Sequence, residues 1–203
     1  MKILITIPTS FEIHQTFYKI LKQKYNCELI TSGIGMVNTT FTLTKYLQIN
    51  KVDYIVHGGI AGSFKQNLQI GSVVQVVEDI FADFGINENS NIIHASEIFN
   101  EHEWYKNEVF DKINIQKAKG ITINNVTACN KTKCFYIKKY NADIETMENA
   151  AVFYVCEKLQ VPFISIRSVS NYVGDRNKQN WNVQLAVENL WLILKQIIEK
   201  LNE

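Results

Sequence analysis

Arginine, proline and cysteine are scarce in this chain, and long apolar runs are missing. No stretch approaches the roughly 20 apolar residues that a membrane-spanning helix needs, so no membrane partner is expected. With only 2 prolines there is no proline-rich linker, and neither an internal repeat nor a low-complexity tract divides the chain. Residues 1–203 therefore read as one domain, long enough to bury a core without disulfides or metal. The four cysteines, Cys27, Cys129, Cys134 and Cys156, form no C-x-x-C pair. Cys156 falls inside an apolar helical pattern where a thiol simply packs, and a reducing cytoplasm is the expected location. The sequons at Asn38, Asn125 and Asn130 carry no weight there. The formal charge of +1, with lysines interleaved among acids, offers no basic stripe, so a nucleic-acid partner is not expected.

Several catalytic motifs are also missing. His14, His57, His94 and His102 show no H-E-x-x-H or other metal spacing, and no metal or cofactor is implied. "HASEIFNEHEWY" clusters histidine with carboxylates but reads as a polar surface helix or loop. There is no G-x-S-x-G elbow, and "ADFG" at 82–85 lacks the glycine-rich loop and H-R-D stretch of a kinase. "GIGMVN" at 33–38 has Asn38 in place of the third glycine of a dinucleotide fingerprint, and Asp53 opens its strand too far away to reach a ribose.

What is present is an alternation of strand and helix. "KILITI" opens as a strand, since it is too short and wrongly flanked for a signal peptide. A helical stretch containing Glu12 to Lys24 follows, then the strand "CELITSGIG", a helix from Met36 to Ile49, and the strands "DYIVHGGIAG" and "GSVVQVVEDIFADFG". Residues 85–117 read as helix plus loop. "KAKGITINNVTA" resumes as a strand, "NKTKCFYIKKYN" as a short helix, "ADIETM" as a strand and "ENAAVFYVCEKL" as a helix. "VPFISI" is a buried strand that gives way to polar Ser170 and Asn171. The last helix carries the stripe Val183, Val187, Leu190, Leu194, Ile197 and Leu201. This pattern predicts an α/β sheet covered on both faces, with a ligand beyond the carboxyl ends of its strands. Those ends carry Thr9 to Glu12, Gly33 and Gly35, Gly58 to Gly62, Met147 and Glu148, and Ser170 and Asn171. Taken alone, Glu148 in a first helical turn reads equally as a helix-dipole residue.

"SGIGMVN", "GGIAGS", "ETMENAAVFYVC" and "VPFISIRSVSN", in this order and spacing, resemble the purine nucleoside phosphorylase and nucleosidase superfamily, above all its methylthioadenosine/adenosylhomocysteine nucleosidases. Within it, "DIFADFG" and "RSVSNYVGDRNKQNW" are more similar to the futalosine hydrolases, which release hypoxanthine from futalosine in a menaquinone pathway. The resemblance implies a three-layer α/β/α sandwich with a mixed central sheet, a small nucleoside as substrate and a homo-oligomer. It implies that Met147 and Glu148 hold the ribose, that Glu12 handles the attacking water, that Ala61 and Gly62 lay backbone near the sugar, and that Val126 and Thr127 lie beside the base. Phe11, Phe81 and Phe84 are candidate walls for a carboxyphenyl tail, and Arg176 is its candidate partner.

Two further points follow, the first argued from the residues and the second from what the resemblance implies about the base site. Phosphate recognition calls for arginine forks, and the only arginines are Arg167, inside the last strand, and Arg176, beyond it. Water is the expected nucleophile. At the base, the adenine-specific nucleosidases carry an aspartic acid where this chain has Asn171. An amide can donate to O6 of a 6-oxopurine while its oxygen accepts from a protonated N7, so Asn171 reads as a selector for hypoxanthine or guanine. It has no proton to give, so water or another acid must supply one. The alternatives are adenine release by a methylthioadenosine-type enzyme, a catalytically silent nucleoside-binding protein, and an Asn171 that only caps a turn.

Overall fold

The computed structural model describes residues 1–88, 91–99, 103–174 and 177–203. The sheet is built from β1 (Ile3–Ile7), β2 (Cys27–Thr31), β3 (Tyr54–Ser63), β4 (Val73–Asp79), β7 (Tyr105–Lys106), β8 (Gln116–Thr122), β9 (Ile144–Thr146) and β10 (Phe163–Tyr172). A separate hairpin pairs β5 (Gly85–Glu88) with β6 (Asn91–His94). The helices are α1 (Gln15–Lys24), α2 (Met36–Ile49), α3 (Ala95–Phe99), α4 (Asn130–Tyr140), α5 (Asn149–Leu159) and α6 (Val183–Leu201).

The sheet is mixed, as expected, and it is partly closed. β3 pairs in parallel with β1 and β10, and β1 pairs in parallel with β2. β10 also pairs antiparallel with β4, β4 runs parallel to β8, β8 to β9, and β9 returns antiparallel to β3. These five strands form a ring, with β1 and β2 as an extension.

Alternation along the strands decides which helix covers which face. Ile3, Ile5 and Ile7 face α1 and α6 in a cluster with Leu21, Leu190, Trp191, Leu194 and Ile197. Leu4 and Ile55 face the opposite side, where α2 supplies Leu43 and α5 supplies Val152, Phe153 and Cys156. The whole expected stripe of α6 packs in the first of these clusters, so it is used within the subunit.

Three local expectations change. Glu12 lies in a short 3-10 turn, Ser10–Glu12, ahead of α1 and not in that helix. Residues 85–117 contain the β5–β6 hairpin, whose first strand is exposed along its length, so no buried alternation marks it. β8 stops at Thr122, which leaves Val126 and Thr127 on the following loop.

Candidate active site

The turn after β1 positions Glu12. Its two carboxylate oxygens accept separate bonds, one from the Thr9 hydroxyl at 2.8 Å and one from the Ile60 backbone N–H at 2.8 Å. Its carbonyl accepts from the indole N–H of the fully buried Trp191 at 2.7 Å, which ties the turn to α6. Burial pushes the Glu12 carboxyl above its ordinary range; Ile60, Thr9 and the Arg167 charge pull the other way, and Glu148 adds to the rise. A carboxylate held like this is still an acceptor but has a raised proton affinity, as suits a general base.

Glu148 reaches the same region from the N-cap of α5. One of its oxygens accepts from the Gly35 N–H at 2.9 Å. Gly35 caps α2 at φ +85°, a conformation that side chains disfavour, and this explains the second glycine of "SGIG". Burial also raises the Glu148 carboxyl, against the Gly35 bond and the Arg167 charge. Met147, next to it, is half-buried.

Arg167 joins these two carboxylates, although its place inside an apolar strand gives it no role in the sequence pattern. It is fully buried on β10, in register with Gly59 of β3. A β-carbon on Gly59 would lie 3.1 Å from the Arg167 guanidinium and 3.2 Å from the Glu12 carboxylate, so the bare backbone lets a cation and an anion converge over the strand. Among the described residues no carboxylate oxygen comes within 4.0 Å of Arg167, so Glu12 and Arg167 face one another without a direct ion pair. The signal was available: an arginine in the middle of an apolar strand is buried, and a buried arginine must serve an anion or an acceptor.

A second group lies further along the same strands. β10 carries a bulge, with Val169 opposite Ala61 and Asn171 opposite Gly62, so Ser170 is the extra residue. Asn171 is thus the next-to-last residue of β10, at the strand's carboxyl end as expected, and half-buried. The Ser170 hydroxyl lies 2.8 Å from the Asn171 amide oxygen and 3.2 Å from the Ala61 carbonyl, and the Asn171 amide nitrogen donates to the Tyr172 carbonyl at 3.2 Å. Gly62 approaches that nitrogen closely, since a β-carbon there would stand 3.4 Å from it. Across the sheet Gly62 pairs with Glu145, whose carboxylate accepts from the Thr127 N–H at 3.1 Å. Asn171, Gly62, Glu145 and Thr127 therefore form a chain of neighbours. Thr127 is buried, and its hydroxyl has no partner among the described residues; Val126 is exposed.

The remaining expectations separate. Phe81 and Phe84 line a groove of about 920 Å³ with Met36, Val37, Phe41 and Tyr154, beginning where α2 leaves Gly35. Phe11 is not part of it and is almost wholly exposed. Arg176 lies outside the described residues, as does His102; His94 bonds to Ser96 and the Phe81 carbonyl.

Comparison with protein families matches residues 4–199 to the model of the phosphorylase superfamily. The chain belongs to that superfamily. Among curated members, futalosine hydrolase of Thermus thermophilus is 25% identical over 179 residues, covering 83% of this chain and 80% of that protein. The 5'-methylthioadenosine/S-adenosylhomocysteine nucleosidase of Bacillus velezensis is 30% identical over 183 residues, with 83% and 79% covered. Among solved structures, the Helicobacter pylori 5'-methylthioadenosine/S-adenosylhomocysteine nucleosidase superposes with a TM-score of 0.85 over 98% of both chains at 17% identity, which establishes the shared fold. This superfamily member is an enzyme of the nucleosidase kind, an N-glycosyl hydrolase. Among the described residues no helix is long and apolar enough to cross a membrane.

Proposed function

We propose that this nucleosidase cleaves a 6-oxopurine nucleoside, futalosine above all, into hypoxanthine and the dehypoxanthine sugar product of menaquinone synthesis. The observation that carries the reading is the amide of Asn171, held over Gly62 with its oxygen beside the Ser170 hydroxyl. In that orientation its NH2 is the group that reaches O6, and the second lone pair of its oxygen accepts from N7–H. Glu12 takes the proton of the attacking water, and the facing Arg167 holds that water's oxygen. Glu148 accepts from the ribose hydroxyls, with Met147 under the ring and Ala61 and Gly62 along its edge. Thr127 and Val126 flank the base. As the glycosidic bond breaks, Glu12 and Glu148 stabilise the positive sugar while a solvent water delivers the proton that the base carries away on N7, and Glu12 afterwards returns to solvent the proton it took from the attacking water. Arg176 is the proposed partner of a carboxylate tail.

The domain is proposed to span residues 1–203 and to work in the cytoplasm as a homo-oligomer. The support is the apolar groove on α2, where Val37 is 79% and Phe41 66% exposed, next to the ribose-binding carboxylate. A second copy covering it would close the site.

Adenine release is the second reading, favoured by the 30% identity to a methylthioadenosine-type nucleosidase. One assay separates the two. The protein is incubated with futalosine, inosine and methylthioadenosine in turn, with and without phosphate, and the freed base is identified. Hypoxanthine from futalosine, independent of phosphate, is the expected result, and adenine as the favoured product refutes it.

A further inference from the structure

His57 is fully buried on β3, one strand away from both Thr6 of β1 and Arg167 of β10, and nothing so far has used it. Its Nδ1 lies 3.1 Å from the Thr6 carbonyl, and its Nε2 meets an Arg167 terminal nitrogen. A carbonyl can only accept, so Nδ1 carries the proton. That leaves the Nε2 lone pair for Arg167. A protonated imidazole has no such lone pair and would set two cations in contact, so the geometry requires neutral histidine. Burial and the Arg167 charge both hold its proton affinity well below the ordinary value.

The choice of acceptor matters. Arg167 also donates from Nη1 to the Ile166 carbonyl at 3.1 Å, and this same nitrogen, which carries a second N–H, is the one that a β-carbon on Gly59 would meet beside the Glu12 carboxylate. The charged groups that act on it are Glu12 from the turn after β1, Glu148 from the cap of α5 and Asp79 at the end of β4. A carboxylate at position 57 would also orient the guanidinium, but it would cancel its charge. Imidazole fixes the orientation and leaves the charge intact for the site.

We propose that His57 is a positioning residue: it holds the Arg167 fork toward Glu12 without neutralising it, and so sets the pH at which Glu12 becomes a base. The inference rests on the reading of Glu12 and Arg167 as the water site.

The test is the pH profile of kcat/KM for three folded variants. Arg167 lowers the Glu12 pKa, so loosening or cancelling it moves the acidic limb upward. His57→Leu removes the acceptor and is expected to lower kcat at least about 10-fold, with KM changed less than about threefold and the limb raised by roughly half a pH unit or more. His57→Gln restores an acceptor oxygen and recovers most of both losses. His57→Asp keeps an acceptor but cancels the charge, raises the limb, and carries the test if the leucine variant fails to fold. A lowered melting temperature with the wild-type limb in every folded variant overturns the proposal and leaves His57 merely structural. Glu12→Gln, measured alongside, distinguishes the failures. If it keeps normal turnover, the water-site reading falls and takes this inference with it; if it is inactive while the His57 limbs stay put, only this inference falls.

Discussion

Asp79, at the end of β4, is a carboxyl group shut completely away from water. Three donors serve it: the Ile80 N–H at 2.8 Å, the Thr122 hydroxyl at 2.8 Å and the Asn149 amide at 2.6 Å. Gly120 gives it room, since a β-carbon there would overlap its Oδ2. Burial outweighs the donors and pushes its pKa from the ordinary 3.8 up to about 6. The sign follows from linkage. A carboxyl whose folded pKa is raised contributes stability that is complete below pH 3.8 and is lost as pH climbs to about 6. At about 1.4 kcal/mol per pH unit, the full loss is about 3 kcal/mol, of which about 2 kcal/mol falls between pH 4.5 and 7.5. Asp79→Asn removes the titration and keeps the shape. The introduced amide fits if the Asn149 side chain turns over, so that the Asn149 oxygen accepts from it and the Asn149 nitrogen donates to Ser165, whose hydroxyl bonds that oxygen in the wild type. Urea unfolding of both proteins at the two pH values is the assay. Glu12 and Glu148, also raised by burial, titrate in both proteins and drop out of the difference. The wild type is expected to lose about 2 kcal/mol more than the variant on going to pH 7.5. An equal pH dependence in the two proteins refutes the reasoning and would mean that Asp79 stays ionised in the fold.

Further outcomes concern the site itself. Asn171→Asp is expected to shift preference from inosine-type toward adenosine-type substrates, and unchanged selectivity in a side-by-side assay removes Asn171 from the base site. Glu12→Gln is expected to cut turnover at least about 100-fold, the lower end for a lost acid–base group; near-normal rates would assign the water to another residue. Phe41→Glu, on the exposed face of α2, is expected to shift the assembly to monomer in light scattering, and a monomeric wild type would refute that use of the groove.

The parts of the fold legible in the sequence were those with strong local punctuation. The α2 boundaries follow from the glycine turn before Met36 and the apolar period after it. α5 follows from the apolar spacing of Ala151, Val152, Val155, Cys156 and Leu159, of which the first four are buried and Leu159, in the last turn, is exposed. The hairpin of β5 and β6 was illegible because its exposed first strand has no apolar side to display. The end of β8 was hidden for a different reason: Thr122 is drawn into bonds with Asp79 and the Ala150 N–H, contacts made across about 30 to 40 residues of chain that no local pattern reports. Glu12 and Glu148 could be placed at strand ends by spacing. That Arg167 faces them depends on the register of β10 against β3, which no single segment encodes.

The link from the Trp191 indole to the Glu12 carbonyl has a bearing on synthesis. A nascent polypeptide releases Glu12 early, yet Arg167, Asn171 and the tryptophan that clasps the Glu12 turn emerge some 150 residues or more later. On the proposed reading, competence is withheld until β10 and α6 have left the ribosome, and a chain stalled before them carries Glu12 without the groups that surround it.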